Sequence, residues 1–169
     1  MRALAAVGTT PVALTIAGEG DSRYRAELEE LTQALGLSNR VRFLGHVEGD
    51  AKRRVFADAD CFMLPSAHEN FGIAVAEAMA AGLSVIVTPG VALAPQVAQA
   101  GAGLVTDATE DSLAAAIGWA AAHPGALVEM GDRAWWLARH ELSWARSCER
   151  LEALYAELAV APLRHGQRA

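Results

Sequence analysis

Two glutamates, Glu69 and Glu77, stand eight residues apart in the run Pro65-Ser66-Ala67-His68-Glu69-Asn70-Phe71-Gly72-Ile73-Ala74-Val75-Ala76-Glu77-Ala78-Met79-Ala80-Ala81-Gly82. From 71 to 81 every residue but Glu77 is apolar, so the segment reads as a helix buried over most of its surface. Burying an ionised carboxylate without partners is strongly destabilising or shifts its pKa. Glu77 therefore calls for a hydrogen-bond donor from the protein or from a ligand, and sugar and ribose hydroxyls are donors of that kind. The alternative is an ordinary core helix whose Glu77 bonds a neighbouring backbone N–H.

The elements around the pair set its geometry. Residues 61–64 read as the end of a buried strand and 65–70 as a loop, with Asn70 in position to cap the helix that follows. Glu69 then sits at the helix mouth. Glu77 follows roughly two turns along, at about 1.5 Å rise per residue, so the two carboxylates can grip different parts of one elongated ligand. Gly72 permits close backbone approach, and the free N–H groups of the first turn favour an anionic or oxygen-rich ligand.

Along the chain, apolar runs of strand length fall near 12–17, 41–45, 60–64, 84–88 and 103–106. Helical stretches lie near 22–35, 49–58, 71–81, 92–100 and 109–122. This alternation predicts a parallel sheet covered by helices. Ligands of such sheets bind beyond the carboxyl ends of the strands, where the Gly18-Glu19-Gly20 loop, the Gly45-His46-Val47 turn and the Glu69 loop should converge. From His123-Pro124 the chain reads as helical to about Leu158, with an irregularity near Gly131-Asp132. Trp135, Trp136, Trp144, Leu151, Leu154 and Tyr155 read as packing residues of this region rather than a cofactor stack. Residues 1–158 form one expected domain and 159–169 a loose tail.

Composition limits the function classes. At 169 residues with 53% hydrophobic content the chain can build one core. A net charge of −6 argues against nucleic acid or an anionic membrane as the main partner. The cations Arg40, Arg42, Lys52, Arg53 and Arg54 read as solvated faces. Cys61 and Cys148 have no disulfide or zinc spacing and suit a reducing compartment. No apolar run reaches membrane-spanning length, and acidic and histidine spacings offer no metal site.

In order along the chain, several segments resemble the nucleotide-sugar glycosyltransferases of family 4, also called group 1. Glu69-Asn70-Phe71-Gly72 with Glu77 resembles their E-x7-E signature. Leu14-Thr15-Ile16-Ala17-Gly18-Glu19-Gly20 is similar to their strand and Gly-x-Gly loop, and Val41-Arg42-Phe43-Leu44-Gly45-His46-Val47 to the next strand and turn. The strand before the signature, Ala59 to Ser66, the strand after it, Gly82 to Val87, and the segments at 101–105 and 142–144 are similar as well. The resemblance covers roughly residues 10–158. It implies an α/β class: a Rossmann-like parallel sheet with helices on both faces, the C-terminal half of a GT-B fold lacking its first strand.

The resemblance also implies roles. Glu77 would hold the ribose hydroxyls, while Glu69, as the catalytic residue, and the backbone of Asn70, Phe71 and Gly72 would contact the transferred sugar and nearby phosphate. Gly18 and Gly20 would let the backbone pass the diphosphate, though a plain tight turn is an equal reading of two glycines alone. Val47 would present its backbone to the nucleobase. His46 and Ser66 are further donor contacts, with Thr88 beside them; each also has a purely local reading as a turn or backbone-satisfying residue. The substrate would be a nucleoside-diphosphate sugar, with retention of configuration and with neither cofactor nor metal. Partners would be an acceptor-binding N-terminal domain or a separate subunit, with no nucleic acid and no direct membrane insertion. A homo-oligomer is compatible with the sequence. The expected location is cytoplasmic, at the inner membrane face if the acceptor is lipid-borne. Alternatives are a fold-retaining binding module, a subunit of a split transferase, or a sugar-nucleotide epimerase or phosphorylase of similar architecture.

Two departures stand out. Complete members carry a preceding strand with a Gly-Arg pair and then a Lys that clamp the diphosphate, whereas residues 1–7 resemble only the end of the helix after that strand. Neither Arg2 nor Lys52 carries over as that clamp. The missing strand is central in the related fold, so a gap is expected between the strands near 12–17 and 60–64, and activity is expected to depend on a part supplied elsewhere. The second departure is Gln96, where many relatives place a Glu.

Overall fold

The structure is a computed structural model and describes residues 1–160. Five strands are joined by helices in the order α1 (Arg2–Ala6), β1 (Leu14–Ala17), α2 (Ser22–Ala34), β2 (Val41–Gly45), α3 (Gly49–Ala57), β3 (Cys61–Leu64), α4 (Ile73–Ala80), β4 (Ser84–Val87), α5 (Ala94–Ala100), β5 (Gly103–Val105), α6 (Glu110–Ala122), α7 (Pro124–His140) and α8 (Trp144–Val160). The β-branched run Val85-Ile86-Val87 has no polar alternation, as befits a strand covered on both faces, and all four residues of β4 are buried. It lies between β3 and β5, parallel to both, with Phe62 opposite Val85 and Met63 opposite Ile86.

Strand parity sorts the core into two layers. Val85 and Val87 pack with Val75, Met79, Val97, Ala134 and Leu137 from α4, α5 and α7. On the opposite face Ile86 packs with Ala116, Ala120 and Leu127, joined by Cys61, Met63, Leu104 and Trp119. Helices thus cover both faces of the parallel sheet, and the fold is the expected Rossmann-like α/β arrangement.

The expected gap is present. β1 pairs in parallel only with β2, with an irregularity between Ile16 and Ala17, and forms a sheet separate from β3-β4-β5. Among the described residues the strands do not close the break in another order. Other contacts join the halves: α1 packs on α6, and the Phe56 and Phe62 rings meet edge to face at 6.1 Å. Arg40 is no solvated cation. Its guanidinium donates to the carbonyls of Val12 at 2.9 Å, Gly8 at 2.5 Å and Thr10 at 3.0 Å, which ties the α1–β1 connection to the start of β2.

The C-terminal region departs from expectation in two ways. α7 runs unbroken through Gly131-Asp132, and the irregularity falls instead at residues 141–143. Gly131 serves close packing rather than a break, since a Cβ there would lie 2.2 Å from the carbonyl oxygen of Gly82. The expected packing residues are solvent-facing, from Trp135 at 42% to Trp144 at 87% exposure, with Trp136, Leu151, Leu154 and Tyr155 also exposed. They lie on outward faces of α7 and α8, while the core positions of α7 are filled by Leu127, Gly131, Ala134, Leu137 and Ala138. Trp136 stacks on His140 at 4.7 Å and Trp135 lies under the Arg139 guanidinium. The expected tail begins within α8, and its residues 161–169 lie outside the described residues.

Two measurements test this packing. Gly131→Ala forces helix α7 off the Gly82 backbone and should lower stability by about 1–3 kcal/mol or more in urea denaturation. Gly125→Ala, in the same helix with nothing within 4 Å of its Cβ position, should leave stability unchanged or raise it by up to about 1 kcal/mol. The two cysteines give an independent check. Burial and the neighbouring Asp60 carboxylate push the Cys61 thiol above its ordinary pKa, which lowers its thiolate fraction. Iodoacetamide at pH 8 should therefore modify exposed Cys148 at least about tenfold faster than Cys61, followed by peptide mass spectrometry.

Candidate functional site

The loop after β3 is sewn to the loop after β4. Glu69 N–H donates to the Gly90 carbonyl at 2.9 Å and Ala92 N–H to the Glu69 carbonyl at 3.1 Å, forming a short parallel bridge between Glu69 and Val91. Thr88 Oγ1 donates to the Ser66 carbonyl, and the Ser66 hydroxyl donates to the His68 carbonyl at 3.0 Å. The approach depends on Gly90, where a Cβ would lie 2.1 Å from the carbonyl oxygen of Ala67. The Glu69 backbone is thereby fixed to the most buried strand of the sheet, its side chain uncommitted by any hydrogen bond among the described residues.

Helix α4 starts later than the sequence suggests. Its N-cap is Gly72, in the left-handed region at φ 86°, a conformation that favours glycine. Asn70 is exposed and does not cap the helix, because the chain turns at Gly72 against Val91, whose Cγ1 lies 3.1 Å from the Cβ position. The helix is also less buried than expected. Val75, Ala78 and Met79 face the core, while Phe71 and Ile73 are exposed at 46% and 67%.

Glu77 accordingly stands at the edge of the helix, with its side chain 40% exposed, and accepts from Lys52 Nζ of α3 at 2.5 Å. The protein itself supplies a donor, so the carboxylate is not a stranded buried charge. Sequence reasoning assigned Lys52 to a solvated face, whereas its ammonium meets Glu77. Its signal is weak because the partner lies 25 residues away, across an element boundary. Gly90 carries no signal in the sequence, and only the loop-on-loop contact reveals its part.

The remaining expected residues gather on the smaller sheet. Gly18 has φ 135°, and its N–H donates to the Gly45 carbonyl at 2.8 Å, joining the loops that follow β1 and β2. Gly20 is exposed, with open space around its Cβ position. His46 is exposed and stands 3.6 Å from the Glu48 carboxylate, and Val47 is half-buried. Two clusters result: Ser66, Glu69, Asn70, Phe71, Gly72 and Glu77 on one side, Gly18, Gly20, His46 and Val47 on the other. The Lys52–Glu77 contact connects α3, which follows the second cluster, to α4, which carries the first.

Two surface clefts lie elsewhere. One of about 280 Å³ opens at the amino ends of β3 and β4 beside Asp60, Gly82, Leu127 and Asp132. Another of about 330 Å³ lies between α2 and β2 beside Arg25, Thr32, Arg42 and Phe43. None of the expected donor residues lines either, so the candidate site is an open surface at the carboxyl edge of the strands. Among the described residues no helix is long and apolar enough to cross a membrane.

Comparison with known proteins agrees with this architecture. The D-inositol 3-phosphate glycosyltransferase of Corynebacterium urealyticum is 32% identical over 148 residues, covering 86% of this chain and 34% of that protein. Among solved structures, sucrose-phosphate synthase from Thermosynechococcus elongatus superposes with a TM-score of 0.79 at 25% identity, over 95% of this chain and 42% of the other. Anabaena HepE, solved in complex with UDP, superposes with a TM-score of 0.79 at 24% identity, over 91% of this chain and 44% of the other. The chain thus spans about a third of the length of such curated relatives (34% in the first case). The family described as Glycosyl transferases group 1 matches residues 1–134, and with the Glu69–Glu77 loop and helix seated at the carboxyl end of a Rossmann-like sheet, the chain belongs to that family.

Proposed function

We propose that this chain is the donor-binding part of a retaining glycosyltransferase, which moves a sugar from a nucleoside diphosphate to an acceptor hydroxyl. The observation that carries the reading is the fixed Glu69 loop leading through Gly72 into the Glu77 helix, at the sheet edge where α/β folds bind ligands. Glu77 accepts hydrogen bonds from the ribose hydroxyls. Glu69 and the backbone of Asn70, Phe71 and Gly72 meet the transferred sugar and its phosphate. Ser66 lies in the same loop, and the Gly18, Gly20, His46 and Val47 loops approach the diphosphate and base from the smaller sheet.

In the reaction the bond between the anomeric carbon and the diphosphate oxygen breaks, and the nucleoside diphosphate leaves with the electron pair. The acceptor oxygen bonds the anomeric carbon and its proton is released. Positive charge grows on the sugar and negative charge on the leaving group, so positioning and electrostatic stabilisation do the catalytic work. An open half-site supports a second element of the reading: the acceptor surface comes from another domain or subunit. The 34–44% coverage of the compared proteins supports this, and the chain by itself should bind donor but transfer little.

Protein NMR titration with UDP, GDP and ADP tests the proposal. Saturable binding to one nucleotide is expected. Glu77→Ala should weaken it about tenfold or more while the spectrum stays folded, the loss being that of a charge-assisted hydrogen bond. Binding untouched by the substitution, or enzyme-like sugar transfer by the chain alone, would overturn the respective part.

A further inference from the structure

Lys52 forms a polar contact between the elements on either side of the break in the sheet. It lies in α3, after β2, and reaches Glu77 in α4, after β3, although β1-β2 and β3-β4-β5 share no strand pairing. The neighbouring cation Arg53 is engaged within its own helix by Asp50, and Arg54 is exposed. With side chains 35% and 40% exposed, the Lys52–Glu77 pair is too open to water to hold the fold by itself. Its geometry nevertheless does something specific to the carboxylate.

A carboxylate offers about four lone-pair directions on two oxygens. Lys52 takes Oε1, and among the described residues nothing bonds Oε2. A long, half-exposed glutamate side chain would otherwise sample several rotamers. Held by Lys52, it keeps one oxygen turned to the ammonium and presents the other. The pairing also neutralises one negative charge beside the segments after β1, β2 and β3, which carry Glu19, Glu48 and Glu69, where an anionic diphosphate would have to be tolerated.

We propose that Lys52 is a positioning residue of the donor site: it locks Glu77 so that the free carboxylate oxygen meets the ribose diol of a nucleoside diphosphate. This rests on the reading of Glu77 as the ribose-holding carboxylate. It differs from a diphosphate clamp, since the ammonium acts through Glu77. Lys52 thereby sets how strongly the site prefers a ribonucleotide to a deoxyribonucleotide.

The test titrates the 169-residue chain with whichever of UDP, GDP and ADP it binds, and with the 2′-deoxy form of that nucleotide. Lys52→Met should weaken ribonucleotide binding about fivefold to twentyfold and shrink the preference over the deoxynucleotide, at unchanged melting temperature. Lys52→Arg, which keeps the charge, should retain most of both. In a Glu77→Ala background, Lys52→Met should change affinity less than about twofold, because the pair acts as a unit. Lys52→Gln is the second neutral variant should Lys52→Met not fold. If Glu77→Ala weakens binding while the neutral Lys52 variants leave affinity and ribose preference unchanged, or tighten binding, the Lys52 role falls and the site reading stands. Losses that add fully in the double variant also overturn it. If the folded chain binds none of the three nucleotides, or Glu77→Ala has no effect, the reading of the site falls and takes this role with it.

Discussion

Backbone-to-backbone contact around β4 is the constraint on which the larger half of the molecule rests. A Cβ at Gly103 would lie 1.9 Å from the Val85 carbonyl oxygen, one at Gly131 2.2 Å from that of Gly82, and one at Gly90 2.1 Å from that of Ala67. Each position lets a neighbouring element approach closer than any side chain would allow. The result is a strand buried on both faces, with α4, α5 and most of α7 on one side and α6 with Leu127 from the start of α7 on the other. Because interiors are packed to the density of organic crystals, displacement of one of these elements is felt by the others.

That rigidity reaches the site through chain continuity. The residues just beyond β4, Thr88 to Ala92, hold the Glu69 loop by hydrogen bonds from two directions, and Val91 is fully buried beneath it. Gly72 then turns the chain into α4 with Val75 and Met79 anchored in the core. Glu69 and Glu77 therefore reach the surface as half-buried residues while their backbone belongs to the best-packed part of the protein. A loop carried on a rigid scaffold combines accessible side chains with fixed geometry.

The strands and their covering helices were legible in the sequence because the signals are local. Apolar runs such as Val85-Ile86-Val87 and the alternation of strand and helix patterns predict the parallel arrangement within a residue or two at most boundaries. The break in the sheet was legible through resemblance alone, since no local pattern records an absent neighbour. What escaped depends on partners distant in sequence. Arg40 looks like any surface cation until the three carbonyls it binds are seen, and Lys52 until Glu77 is found opposite. Asn70 has the right residue type for a cap, but contact between Gly72 and Val91 sets the helix start. Trp135 and Trp136 misled because size and apolarity suggest burial, whereas helical phase places them outward and stacking on His140 and Arg139 occupies their faces.

The break divides the candidate site as well as the sheet. β3 reads Cys61-Phe62-Met63-Leu64, the composition of a covered strand, yet all four residues are half-exposed, while β1 leaves Thr15 and Ala17 open. Two parallel strands form few ladder hydrogen bonds, and such pairing is slightly less stable per residue than antiparallel pairing. The smaller sheet therefore relies on the α1–α6 contact and on Phe56 against Phe62 to keep its place, while Arg40 braces its own two strands. Gly18 and His46 ride on that sheet, whereas Glu69 and Glu77 ride on the larger one. The spacing between the two clusters is consequently governed by a few side-chain contacts rather than by a continuous backbone ladder, and any strand that paired with the free edges of β1 and β3 would stiffen the carboxylates and the glycine loops relative to each other in a single step.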